Sequence, residues 1–201
     1  MDTHQTVNPH IYEFHLGLEE TNRHLEEYVR NEIAKVHTLG LEEKHSNIGG
    51  WHSERNLHTR LGEHTAYTDH LLRLFAAFEN PMNEYIKNCH EKFGVRPLNS
   101  YHFDYTASWF NVAFGGSYNA PHIHPLSQIS AAYYVRTEEP TKEYPFSGRI
   151  DLIENNTQYP FSPKSGTLLL FPSDMLHWVH PYHGSDIRIC LSFNAGNIST
   201  A

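Results

Sequence analysis

The segment Pro121-His122-Ile123-His124-Pro125 places two imidazoles two residues apart, between two runs of strand-forming residues. In extended backbone, residues i and i+2 project to the same side, so His122 and His124 can present nitrogen donors to one point. That is the geometry of a metal chelate. The competing reading is a pair of surface histidines in a proline-bounded turn, in a chain with 17 His among 201 residues. A chelate needs a third ligand, and the run LLLFPSDMLHWVHP, Leu168 to Pro181, offers one. An apolar strand, a Pro and Ser break and then His177 is the order expected when a distal strand returns a ligand to a site. His180, His183 and Asp174 stand nearby as rivals.

Arg188 sits in the apolar run Ile187, Ile189, Leu191, Phe193. Strand alternation turns those residues to one face and Arg188, Cys190 and Ser192 to the other. An arginine in a buried strand calls for a carboxylate, supplied either by the protein as a structural ion pair or by a bound acidic small molecule; the alternative is an arginine that faces solvent.

Taken together, these motifs resemble the iron(II)- and 2-oxoglutarate-dependent oxygenases, most closely a branch of small bacterial and phage proteins. The resemblance rests on PHIHP (Pro121 to Pro125), FPSDMLHWVHP (Phe171 to Pro181) and RICLSFN (Arg188 to Asn194). Over the N-terminal part only IGGWHS, Ile48 to Ser53, is similar. The resemblance implies a double-stranded β-helix, or jelly-roll, that binds Fe(II) and uses 2-oxoglutarate as cosubstrate. It assigns the metal ligands to His122, His124 and His177; His177 stands eleven positions before Arg188, the spacing the family leads one to expect, whereas His180 stands eight before it. It assigns the far carboxylate of 2-oxoglutarate to Arg188, and further cosubstrate contacts to Asn111, Tyr134 and Ser192. No catalytic side chain beyond the metal ligands is implied. The reaction implied is hydroxylation of a substrate C–H bond with release of succinate and carbon dioxide. Two departures stand out: His124 occupies a place where the superfamily usually has a carboxylate, and Cys190 stands where a serine is common, with Ser192 two residues on. A three-histidine dioxygenase of cupin type that needs no keto acid, and a non-catalytic metal-binding jelly-roll, are the alternatives.

The elements that must position these residues are legible in outline. Leu25, Tyr28, Val29, Ile33 and Val36 recur at helical intervals between Glu19 and Thr38, with Gly40 placed to close the helix. A second helix carries Tyr67, Leu71, Leu74, Phe75 and Phe78 and should break at Asn80-Pro81. Pro81 then starts a third with Tyr85, Ile86, Cys89 and Phe93, ended by Gly94. His10 to Leu16 reads as an early strand, and His45 to Arg60 as a loop with a short extended piece. After Pro97 the pattern turns to strands at Tyr101–Phe114, Ser127–Arg136, Gly148–Glu154, Gly166–Phe171 and Ile187–Phe193. Helices first and strands later predict an α+β chain of one domain, 1–201, with a mainly helical part over 1–96 and the jelly-roll over 97–195.

Composition narrows the partners. Fifteen Lys and Arg against 23 Asp and Glu leave a net charge of −8, which argues against capture of a nucleic-acid backbone. No apolar run approaches a membrane span, no basic-then-apolar leader opens the sequence, and two cysteines make no disulfide framework; the expectation is a cytoplasmic protein. The expected partner is a small-molecule or peptide substrate, and edge strands or helices leave room for a homodimer. His45, His52, His58 and His64 match no zinc spacing and read as loop residues, although the IGGWHS resemblance makes Trp51 and His52 pocket-lid candidates. Tyr105, Trp109, Phe110 and Phe114 read as core more readily than as a substrate platform. Cys190 reads as core-facing or pocket-lining rather than as a nucleophile.

Overall fold

The computed structural model describes residues 5–39, 46–63 and 65–201. In chain order the strands are β1 (Gln5–Asn8), β2 (Ile11–His15), β3 (Asn47–Ile48), β4 (Trp51–His52), β5 (Tyr101–Ala113), β6 (Tyr118–His122), β7 (Ile129–Arg136), β8 (Ile150–Glu154), β9 (Thr157–Phe161), β10 (Thr167–Pro172), β11 (Leu176–Val179) and β12 (Arg188–Thr200). The helices are α1 (Glu19–Leu39), α2 (Ala66–Asn88) and the single turn α3 (His90–Phe93). One antiparallel sheet runs β1-β2-β10-β7-β12-β5-β4 and a second β3-β6-β11-β8-β9. From β5 onward the chain passes back and forth between the two sheets, which gives the expected double-stranded β-helix.

The central strands of the larger sheet are apolar at successive positions because both of their faces are covered. On one face Tyr133, Val135, Leu168, Leu170, Ile189, Leu191 and Phe193 join the core made with α1 and α2. On the other, Ala132, Tyr134, Leu169, Phe171 and Cys190 pack toward Ile150, Leu152 and Phe161 of the smaller sheet. The helices therefore cap the outer face and leave the interior between the sheets for the site. Two buried tyrosines tie the layers: Tyr133 donates to Asn22 Oδ1 on α1 at 2.8 Å, and Tyr85 on α2 donates to the His10 carbonyl at 3.0 Å. No helix among the described residues is long and apolar enough to cross a membrane.

The expected break at Pro81 is overturned, because α2 runs straight through it. An interior proline costs about 3 kcal/mol. Phe78, Met82, Tyr85 and Ile86, all fully buried on either side of it, offset that cost by packing as one continuous face. The remainder of that third helix reduces to α3, which ends on Gly94 in a left-handed conformation, φ +67°. The expected early strand is β2, and Gly40 lies outside the described residues. Strands β6, β9 and β11 were not expected from the sequence; β6 and β9 contain Pro121 and Pro160, and β11 is four residues long.

Phe78 marks the helix-to-sheet contact, edge-on to Tyr133 with ring centroids 5.5 Å apart and 5.0 Å from Phe193. Phe78→Ala is expected to cost about 3–5 kcal/mol in denaturant unfolding. Metal uptake by the folded variant should be unchanged, because the ring lies on the far side of the sheet from the histidines.

Candidate metal centre and cosubstrate pocket

His122 closes β6 and His177 lies on β11, directly opposite it in an antiparallel register. His124 follows in the turn beyond β6, where its backbone N–H donates to the Ser173 carbonyl at 2.8 Å. Pro172 ends β10 just before this point. Ser173, fully buried, shares a hydroxyl bond of 2.9 Å with Ser130, which donates to Asn194 Oδ1 at 2.9 Å. The Pro-Ser and Ser-Phe-Asn parts of the sequence motifs thus hold the turn that aims His124, a role the sequence reading did not assign.

The three imidazoles converge, with ligand nitrogens all within 4.8 Å of one another. Nδ1 of His122 donates to the Ala120 carbonyl at 2.7 Å and Nδ1 of His177 to the Met175 carbonyl at 2.9 Å. A carbonyl can only accept, so in both rings the proton sits on Nδ1 and Nε2 keeps its lone pair, with the Ser46 hydroxyl 3.4 Å from Nε2 of His122. Burial lowers the pKa of all three. His124 and His177 are pushed down to about 3, with the neighbouring histidines adding to the effect, and for His124 Arg55 and His52 as well. Near neutral pH the triad is uncharged and ready to bind a divalent metal such as iron on one face, leaving the others open.

A cavity of about 310 Å³ opens from the triad between the sheets. Arg188 lines it, 3 % exposed, and pairs with no carboxylate among the described residues. Its guanidinium lies 5.1 Å from the Tyr134 ring, and neither Arg188 Nε nor the Tyr134 hydroxyl finds a hydrogen-bond partner. Gly148, at φ +64°, makes room for the arginine stem: a Cβ there would stand 3.2 Å from Arg188 Cδ. Asn111 and Ser192 line the same cavity, Asn111 facing Cys190 and Ser192 facing Trp109 across the β12–β5 ladder. Every residue assigned to metal or cosubstrate from the sequence therefore reaches one chamber.

The rival ligands are occupied elsewhere. His180 bonds the fully buried Asp151, His183 stacks on Tyr144 at 4.1 Å, and Asp174 pairs with Lys92. The N-terminal histidines need correction. His52 is 5 % exposed and lines the cavity, stacked on Trp109 at 5.4 Å, so it is a wall residue rather than a loop one. His58 is bonded to the Ser108 hydroxyl at 2.9 Å. Trp51 turns into the helix-side core instead of over the pocket, because its neighbour in β4 takes the inward position. His45 and His64 lie outside the described residues. Of the four aromatics, Phe110 is core, Tyr105 and Phe114 pack against that core, and only Trp109 lines the cavity.

Residues 107–194 match a protein family described as "putative 2OG-Fe(II) oxygenase". No curated protein sequence matches the chain. Among solved structures, the fold is similar to a prolyl-4-hydroxylase from Pseudomonas putida, with a TM-score of 0.62 at 15% identity, covering 93% of this chain and 92% of that one. It is also similar to a Trichoplax adhaerens prolyl hydroxylase solved with a hypoxia inducible factor peptide fragment, TM-score 0.65, 14% identity, 94% and 84% covered. HygX from Streptomyces hygroscopicus, solved with nickel and 2-oxoglutarate bound, gives a TM-score of 0.58 at 9% identity, with 92% and 82% covered. The family match spans all three histidines and Arg188, and the structural likeness extends the shared double-stranded β-helix to nearly the whole chain.

Proposed function

We propose that this protein is an iron(II)- and 2-oxoglutarate-dependent dioxygenase that hydroxylates a C–H bond of a second substrate. The observation that carries this reading is the pairing of an open-faced histidine triad with a buried, unpaired arginine at the other side of one cavity. An ionised guanidinium held away from water without a counter-ion is costly, and a dicarboxylate that reaches from the metal to Arg188 removes that cost. A three-histidine dioxygenase that uses no keto acid gives Arg188 and the Tyr134 hydroxyl nothing to bind, which disfavours that alternative.

In this reading His122, His124 and His177 hold the metal. Arg188 and the Tyr134 hydroxyl take the far carboxylate of 2-oxoglutarate, and Asn111 and Ser192 supply polar wall beside it. Phe171, Ile150 and Val179 line the same space and keep it dry. Iron and 2-oxoglutarate, once bound, would supply the oxidising power for C–H hydroxylation with dioxygen, with succinate and carbon dioxide as co-products. Three neutral imidazoles with no carboxylate ligand would leave the double charge of a bound divalent metal uncompensated, which would favour an anionic keto acid.

Anaerobic addition of iron(II) and then 2-oxoglutarate to the metal-free protein should produce the weak visible absorption of an iron-chelated keto acid; iron binding without that band defeats the proposal. His177→Ala and His122→Ala should each weaken iron binding by more than about 100-fold, since even loss of a supporting contact to a ligand costs up to that much. Unchanged iron content in both variants would refute the ligand set. Arg188→Met should leave iron binding intact and raise the 2-oxoglutarate dissociation constant on the order of 100-fold, the scale of losing a desolvated charge partner.

A further inference from the structure

The cavity has a second cationic end. Among the described residues, four histidines and two arginines line it, and no aspartate or glutamate does. Arg188 lies buried at the floor, whereas Arg55 is exposed and so stands at the mouth. The guanidinium of Arg55 is 4.8 Å from the centre of the Trp109 ring, and that ring is 5.7 Å from His124. Arg55 is thus separated from the metal-binding imidazoles by a single aromatic side chain.

The segment that carries Arg55 is strapped to β5. Ser53 N–H donates to the Phe110 carbonyl at 3.0 Å, the Phe110 N–H to Ser53 Oγ at 2.9 Å, and the Ser108 N–H to the Arg55 carbonyl at 3.2 Å. Trp109 is itself 5 % exposed and stacked on His52. A guanidinium lying on an indole face is fixed in orientation while its N–H edge stays free for a planar, two-point acceptor. Arg55 pairs with no carboxylate among the described residues. The same cavity is lined by Ile123 and Trp109, by Ser46 and by Asn119, whose amide donates to the Ser46 hydroxyl at 3.4 Å. A single guanidinium with two neutral polar side chains matches the single charge of a carboxylate; the phosphate arm of the test separates it from a dianion.

We propose that Arg55 is a specificity-determining residue, and that the primary substrate is a small molecule whose carboxylate docks on the Arg55–Trp109 pair while its reacting carbon reaches the histidine triad. This deepens the dioxygenase reading and rests on it. The test loads the protein with nickel(II) and saturating 2-oxoglutarate, so that the Arg188 end is filled. It then compares hexanoate and 3-phenylpropanoate with hexanamide and 3-phenylpropanamide, and with hexyl phosphate, by tryptophan fluorescence and thermal shift. The acids are expected to bind about tenfold or more tighter than their amides, the worth of one charge-assisted bidentate contact. Arg55→Gln should abolish that preference and leave 2-oxoglutarate affinity unchanged, and Arg55→Lys should restore part of it. Equal binding of acids and amides, an acid preference that survives in Arg55→Gln, or a preference for the phosphate would overturn the proposal. The same comparison in Arg188→Met needs no keto acid. An acid preference there that depends on Arg55, in a protein whose wild type fails to bind 2-oxoglutarate, keeps the carboxylate subsite and removes the dioxygenase reading instead.

Discussion

The metal centre hangs on the register between β6 and β11. His122 and His177 meet as direct partners across that ladder, and side chains alternate faces along each strand. A slip of one residue would turn His177 outward and bring Leu176 or Trp178, now on the outer face, into the cavity. The register is pinned from the other side as well, where His177 pairs with Leu152 of β8, a fully buried residue of the inter-sheet core. His124 lies past the end of the ladder and needs a separate anchor, which the Ser173 carbonyl provides. A short strand and one turn thus position three donors, and the hydrophobic layer behind β8 keeps them there.

Alternation performs a second task on β12. Ile189, Leu191 and Phe193 bury against the helices, so Arg188, Cys190 and Ser192 must face the cavity. β12 is paired with β5 from Arg188 onward and with β7 from Ile189 onward, and Arg188 is 3 % exposed at the start of that doubly paired stretch. The helices cover the far face of β12, and the sheet with its cavity keeps Arg188 a largely dry cation. That dryness raises the cost of leaving it unpaired and, by the same physics, the strength with which it holds an anion.

The sequence made these two tasks legible because both obey a period of two and involve residue types that are hard to place otherwise: histidines flanked by prolines, an arginine among branched aliphatics. It said less where tertiary burial overrides local preference. Pro81 signals a helix end by every local rule, and only the buried face shared by Phe78, Met82 and Ile86 shows why α2 continues. Strands β6, β9 and β11 are short or contain proline, so propensity is weak there and pairing with a neighbour decides their conformation. His52 was obscure for a related reason: nothing near it in the sequence announces a two-residue strand docked on β5, and without β4 there is no inward direction for its ring to take. The supporting roles of Ser130, Ser173 and Asn194 were hidden because a hydroxyl or amide carries no spacing signal.

The same alternation settles the charge of the centre. Asp151 is fully buried on β8, next in sequence to Leu152, whose backbone pairs with His177; a carboxylate that near would be a natural fourth ligand. Its strand position turns it to the opposite face of the sheet, where Arg149 donates to it at 2.8 Å, Gln158 at 2.7 Å, and His180 completes the cluster. The protein thus spends this buried carboxylate behind the sheet, and among the described residues none lines the cavity. A divalent metal bound there would sit between two guanidinium groups, with no carboxylate among the described residues lining the cavity. Coulomb interaction across a low-dielectric cavity then favours anions as occupants, and on the proposed reading Arg188 at the floor and Arg55 at the mouth would give each end of the chamber its own acid to hold.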